Sequence, residues 1–106
     1  SAYLVEQYDE TARHGQIRHL PGSDEAWSSL FHPCDVGTYQ NGAFWATPLA
    51  WMVPVYARSD PALAKKVLED VIRDFRDNGI NECINDGYVR VPKFVVSAAS
   101  VYGLSR

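Results

Sequence analysis

The stretch DPALAKKVLEDVIRDFRDN, residues 60–78, decides how the rest of the chain is read. Leu63, Val67, Leu68, Val71, Ile72 and Phe75 recur at steps of four, one, three, one and three. That spacing lays a wide apolar stripe along one side of an α-helix. Asp60 is placed to cap the helix, and Pro61 takes the first helical position, where no amide hydrogen is required. Lys65, Glu69, Arg73 and Arg76 fall off the stripe, with Lys65–Glu69 and Glu69–Arg73 four residues apart, and form a solvated face. Asn78-Gly79 ends the helix. A helix with one apolar side needs apolar partners, and the flanking segments supply them.

Toward the N-terminus, residues 43–58 are apolar nearly all round: Phe44, Trp45, Leu49, Trp51, Met52, Val53, Val55 and Tyr56. This predicts a helix buried on every side. Thr47-Pro48 reads as its N-cap and first position. Pro54 removes the bond to the Ala50 carbonyl and predicts a kink or a tight turn. Residues 2–14 read as a further helix, with Leu4, Val5, Tyr8 and Ala12 on one face and Gly15 as its stop. A connection over 16–22 breaks at Pro21-Gly22. A short helix over 24–31 follows, capped by Ser23, and 32–42 reads as an ordered loop.

Toward the C-terminus, residues 80–92 change character. Ile80, Glu82 and Ile84 alternate with Asn81, Cys83 and Asn85, Asp86-Gly87 makes a turn, and Tyr88-Val89-Arg90-Val91 follows. This reads as a short β-hairpin or an extended loop. Two strands alone are marginal, so the hairpin must lie on the helices. Residues 94–102 are ambiguous: their β-branched residues suggest a strand, whereas Ser97-Ala98-Ala99-Ser100 suggests a helix packed closely against a neighbour, and Pro92 as a start favours the helix. The expected fold class is mainly α: antiparallel helical hairpins with one short β-hairpin near residues 80–91. The 106 residues make one domain.

Composition narrows the function classes. The hydrophobic fraction is 46% and the charged fraction 22%, the balance of a globular protein. The net charge is -3 and the basic residues are scattered, which disfavours nucleic acid and anionic membrane surfaces as partners. No apolar run reaches the roughly 20 residues of a transmembrane helix. Cys34 and Cys83 can pair or stay free; free thiols in a reducing compartment is the favoured alternative, and with no signal peptide in view a cytoplasmic location is slightly favoured.

The densest functional signal is Gly37-Thr38-Tyr39-Gln40-Asn41-Gly42-Ala43-Phe44-Trp45. A sugar presents hydroxyl groups at its edges and C–H bonds on its faces, so a sugar site joins aromatic platforms to amides and carboxylates. Tyr39, Phe44 and Trp45 beside Gln40 and Asn41 match that demand. The bland alternative is that the aromatics are core and the amides bond loop backbone. Three carboxylates flank the segment: Asp35 before it, Glu82 and Asp86 in the hairpin. Glycoside hydrolysis commonly uses two carboxylates around the scissile bond. Glu82 sits between Ile80 and Ile84, and a carboxyl among apolar groups tends to keep its proton, as a general acid must. The candidate catalytic pair is therefore Glu82 and Asp35. His19 and Asp86 join Tyr39, Gln40, Asn41, Phe44 and Trp45 as candidate substrate contacts. His14, His19 and His32 lack a metal-ligand spacing, and no metal or cofactor is proposed.

Three strings, Gly15-Gln16-Ile17-Arg18-His19-Leu20-Pro21, Tyr39-Gln40-Asn41-Gly42-Ala43-Phe44-Trp45-Ala46-Thr47-Pro48 and Asn78-Gly79-Ile80-Asn81-Glu82-Cys83, resemble in order and separation the C-terminal part of the six-hairpin glycosidases. A weaker match is Val95-Val96-Ser97-Ala98. The resemblance implies part of an (α/α)6 toroid, with 43–58 as an inner helix and 60–78 as an outer one. It further implies that Tyr39, Gln40, Asn41 and Trp45 line a sugar cleft near Glu82. A full toroid needs about twelve helices, so the chain is expected to be a fragment, a reduced relative or one subunit of an oligomer. Its partners would be an oligosaccharide and either further copies or the rest of a barrel. The alternatives are a sugar-binding module without catalysis, and a self-associating helical protein using Trp51, Tyr56 and Phe75.

Overall fold

In the computed structural model, which describes residues 2–19 and 35–104, helices and strands alternate. The order is α1 (Ala2–Glu6), α2 (Tyr8–Thr11), β1 (Ala12–Arg13), β2 (Gln16–Arg18), β3 (Phe44–Trp45), α3 (Leu49–Ser59), α4 (Pro61–Asn78), β4 (Asn81–Asn85), β5 (Tyr88–Pro92) and α5 (Val95–Tyr102). The strands form one antiparallel sheet in the order β1-β2-β3-β4-β5. The fold is thus mixed α and β, which corrects the mainly α expectation and the toroid of helical hairpins. The helix expected over 24–31 and Cys34 lie outside the described residues.

The correction begins at His14-Gly15. Arg13 pairs with Gln16, so these two residues are the whole of a hairpin loop. Their φ angles are 53° and 74°. Positive φ at both central positions matches the right-handed twist of the flanking strands. Gly15 therefore reverses a hairpin instead of stopping a helix, and the expected helix over 2–14 ends at Thr11 after a break at Gln7. A Cβ on Gly15 would lie 2.6 Å from the Val67 carbonyl oxygen and 2.7 Å from the Val71 nitrogen. The turn is pressed against the α4 backbone, and only glycine fits there.

The second correction concerns residues 43–58. Phe44 and Trp45 are strand, pairing with Arg18 and Ile17 on one side and with Ile84 and Cys83 on the other. The helix starts only at Leu49. Pro48 takes the N-cap place, without a side-chain cap bond, one residue earlier than the N1 position expected of it. Pro54 lies inside a helix assigned without interruption from Leu49 to Ser59, so no tight turn forms there. Nor is α3 buried on every side. Leu49, Val53 and Tyr56 are buried, whereas Trp51 is 60% exposed. Tyr56 is fully buried and closed off from any self-association surface.

Helix α4 follows its local signals. The Asp60 carboxylate accepts from the Leu63 amide at 3.0 Å, with Pro61 at the first position. Ala64, Val67 and Val71 are buried, and Lys65 pairs with Glu69 at 3.7 Å. Arg73 pairs with Asp70 at 3.3 Å, not with Glu69. The 80–92 hairpin also forms, with Asp86-Gly87 as its loop. It rests on β3 as part of the sheet as well as on α5. There Ser97 is fully buried and donates to the Asn81 carbonyl at 2.8 Å. The principal apolar core joins Tyr8, Ile17, Ala46, Leu49, Val53, Tyr56, Val67, Val71 and Val101. A smaller cluster of Ala43, Trp45 and Cys83, edged by Tyr39 and Tyr88, leads to the candidate site. Among the described residues no helix is long and apolar enough to cross a membrane.

Candidate functional site

Residues directly opposite in an antiparallel sheet share a face. Register therefore places Ile17, Trp45, Cys83 and Arg90 in one row across β2, β3, β4 and β5. Trp45 is 7% exposed and its indole N–H donates to the Tyr39 carbonyl at 3.1 Å. The Tyr39 ring centroid is 5.0 Å from that of Trp45, and the His19 centroid is 5.2 Å from it on a tilted plane. The Arg90 guanidinium lies 4.4 Å from the Tyr39 ring centroid. Its Nε donates to Glu82 at 3.1 Å. Three aromatic rings, a guanidinium and a carboxylate thus form one connected cluster. Its accessible parts are His19 and Arg90, which are exposed, and Tyr39 and Gln40, which are half-buried.

The 35–42 loop is held by its own backbone and by β4–β5. Thr38 N–H donates to Asp35 O at 3.1 Å, Asn41 N–H to Thr38 O at 2.8 Å, and Gly37 N–H to Asn41 O at 2.7 Å. Asn85 Nδ2 donates to Gly37 O at 2.9 Å, and the Tyr39 amide donates to the Tyr88 hydroxyl at 3.2 Å. Tyr39 itself has a φ of 44°. A bulky residue in the left-handed region is uncommon, and such conformations persist where the surroundings over-determine them. Here the surroundings are the Trp45, Arg90 and Tyr88 contacts.

Burial affects the titrating groups. Packing against Trp45 partly desolvates the His19 ring and lowers its pKa, although the residue as a whole is exposed. That favours the neutral imidazole, which both donates and accepts hydrogen bonds. Cys83 is free, fully buried and pushed up to about 11, chiefly by desolvation and then by Glu82. It is an inert thiol at neutral pH. Tyr88 is raised as well, first by desolvation and then by Cys83.

Of the residues singled out in the sequence, His19, Tyr39, Trp45 and Glu82 meet in this cluster, and Gln40 and Asn41 belong to the adjoining loop. Asn41 is 3% exposed. Phe44 points to the opposite sheet face, as the residue next to Trp45 on a strand must. There it is buried beneath the Arg13 and Arg18 guanidinium groups, 4.9 and 5.5 Å from its centroid. Asp86 is tied to Arg13 at 2.7 Å. Asp35 is exposed at the start of the loop. Glu82 faces a cation, not only the apolar neighbours its flanking isoleucines implied. Sequence reading missed Arg90 and Tyr88. Their separation of two along a strand was the available signal, since it places both on one face. Among the described residues no group of three or more His, Cys, Asp or Glu is arranged to hold a metal ion. Comparison with protein-family models, characterised proteins and solved structures found no match.

Proposed function

We propose that this chain binds oligosaccharide at the surface formed by His19, Tyr39, Gln40 and Arg90. The observation that carries the reading is the Tyr39 ring, inclined at 59° against Trp45 and held under Arg90. Arg90 covers one face of that ring, so the half-buried ring meets sugar C–H bonds with the part that Arg90 and Trp45 leave open, already fixed and therefore at little conformational cost. Around it, Arg90, Glu82, His19 and Gln40 supply the donors and acceptors that ring hydroxyls require. Trp45 supports Tyr39 and is not itself the platform, because its ring is buried and its N–H is already bonded. The motif similarity to six-hairpin glycosidases points to the same ligand class.

Binding is better supported than hydrolysis. Glu82 reaches the cluster through Arg90, whereas Asp86 is engaged by Arg13. A pair of carboxylates flanking one bond is what hydrolysis asks for. The test is calorimetric titration of the protein with a panel of plant and bacterial oligosaccharides, repeated with Tyr39→Ala and Arg90→Ala. The reading predicts binding to at least one glycan, weakened about tenfold by either substitution. No binding across the panel, or binding unaffected by both substitutions, would overturn it.

A further inference from the structure

Five acids among the described residues have a cationic partner. Glu69 meets Lys65, Asp70 meets Lys66 and Arg73, Asp77 meets Arg76, Glu82 meets Arg90, and Asp86 meets Arg13. Asp74 is only 4% exposed. Among the described residues it has no cation within ion-pair distance. Its oxygens accept instead from two neutral amides, Gln16 Nε2 at 2.7 Å and Asn78 Nδ2 at 2.9 Å. A buried carboxylate normally carries a cationic partner, because desolvating a charge is costly. A carboxylate has roughly four acceptor positions, and the two amides use two of them.

Asp74 lines a groove of about 380 Å³ between the β1–β2 turn, the C-terminal half of α4 and the β4–β5 hairpin. Arg13, Asn78, Asn81, Asn85 and Asp86 line it too. Arg13 is taken by Asp86 at 2.7 Å, so the one Lys or Arg side chain among the described residues lining the groove does not pair with Asp74. Behind it, Gln16 is 1% exposed and its Oε1 has no hydrogen-bond partner. Register places Gln16 on the same sheet face as Arg13, another wall of the groove. The walls are fixed: Asn85 Oδ1 accepts from Arg13 at 2.9 Å while Nδ2 holds Gly37.

We infer that this groove binds the ammonium group of a small hydroxylated amine, the chemistry of an amino sugar, with Asp74 as its charge partner. Asn78 and Asn81 supply amides for the ligand's hydroxyl groups. The groove adjoins the Tyr39 loop through Asn85 and Tyr88 but is lined by none of His19, Tyr39, Gln40 and Arg90, and the inference stands whether or not that surface takes a saccharide.

Three probes separate charge from shape: glucosamine, glucose and N-acetylglucosamine, each titrated at constant pH and followed by backbone and side-chain amide resonances. Glucosamine is expected to shift the His14, Asn78 and Asn81 signals, and the two uncharged sugars are not. Asp74→Asn should weaken glucosamine about tenfold or more, the loss of a hydrogen bond to a charged group. If that variant does not fold, Val89→Lys decides the matter. Val89 is an exposed wall of the groove on the edge strand, where lysine is well tolerated. Its added ammonium should weaken glucosamine binding. The inference is overturned if glucosamine leaves the groove signals unmoved, or if all three sugars shift them alike. Unchanged affinity in a folded Asp74→Asn protein overturns it too, as does unchanged affinity in Val89→Lys.

Discussion

Replacing Gly15 with alanine tests the turn on which the fold correction depends. Two effects add. Placing a Cβ on a residue at φ 74° costs about 1–2 kcal/mol of left-handed strain. The new methyl would also stand 2.6 Å from the Val67 carbonyl oxygen and 2.7 Å from the Val71 nitrogen, both in the backbone of α4. Helix backbone cannot yield locally, so the hairpin must lift away. The buried bond from Gln16 to Asp74, next along the strand, is then strained or lost at about 1.5–3 kcal/mol. The expected total is about 2.5–5 kcal/mol, against a stability of about 5–15 kcal/mol for a chain of this size. The control is Gly87→Ala, with φ 64° and nothing within 4 Å of the added carbon, where only the strain of about 1–2 kcal/mol applies. Urea unfolding followed by circular dichroism measures both, with unchanged denaturant slopes as the sign that two-state behaviour holds. Equal losses in the two variants would refute the packing of the β1–β2 turn on α4.

Asp60→Ala should cost about 1 kcal/mol in the same assay, because it removes the acceptor for the Leu63 amide. Leu49→Ala should cost about 2–5 kcal/mol, whereas Trp51→Ser should stay within about 0.5 kcal/mol, since the first is fully buried and the second 60% exposed. A large loss at Trp51 would mean that α3 is buried on every side after all. Cys83 should raise the pH sensitivity of the fold at the alkaline end. Its folded pKa is lifted from 9.0 to about 11, so its contribution is full below pH 9 and is lost as pH rises from 9 toward 11. Unfolding curves over that range should fall less steeply in Cys83→Ala than in the parent protein.

The parts of the fold that were legible rest on short-range signals. Asp60, Pro61 and the stripe from Leu63 to Phe75 specify α4 within its own span, and Asp86-Gly87 does the same for the β4–β5 turn. What escaped depends on partners far away in sequence. Strands β2 and β3 are three and two residues long, too short for any alternation to show. Phe44 and Trp45 merge with the apolar run of the helix that follows, and only their pairing with Arg18 and Ile17 marks them as strand. His14-Gly15 reads equally as a helix stop or a hairpin loop until β2 finds β3. Trp51 misled because apolar character alone does not say which side of a helix meets the core. At the candidate site, aromatic and amide content pointed to Tyr39 and Trp45, and the sheet register adds Cys83 and Arg90. Asp74 was hidden as one more charge on α4, and its burial follows from the docking of Gln16.

The most direct test of the central claim follows the indole N–H resonance of Trp45, assigned through Trp45→Phe, during titration with an oligosaccharide that binds. A saccharide seated on Tyr39 should shift the Trp45 indole and His19 ring signals, through the 5.0 and 5.2 Å ring contacts, and leave the Trp51 indole in place. Saturation with no movement at Trp45 and His19, or movement at Trp51 instead, would contradict the assignment of this surface.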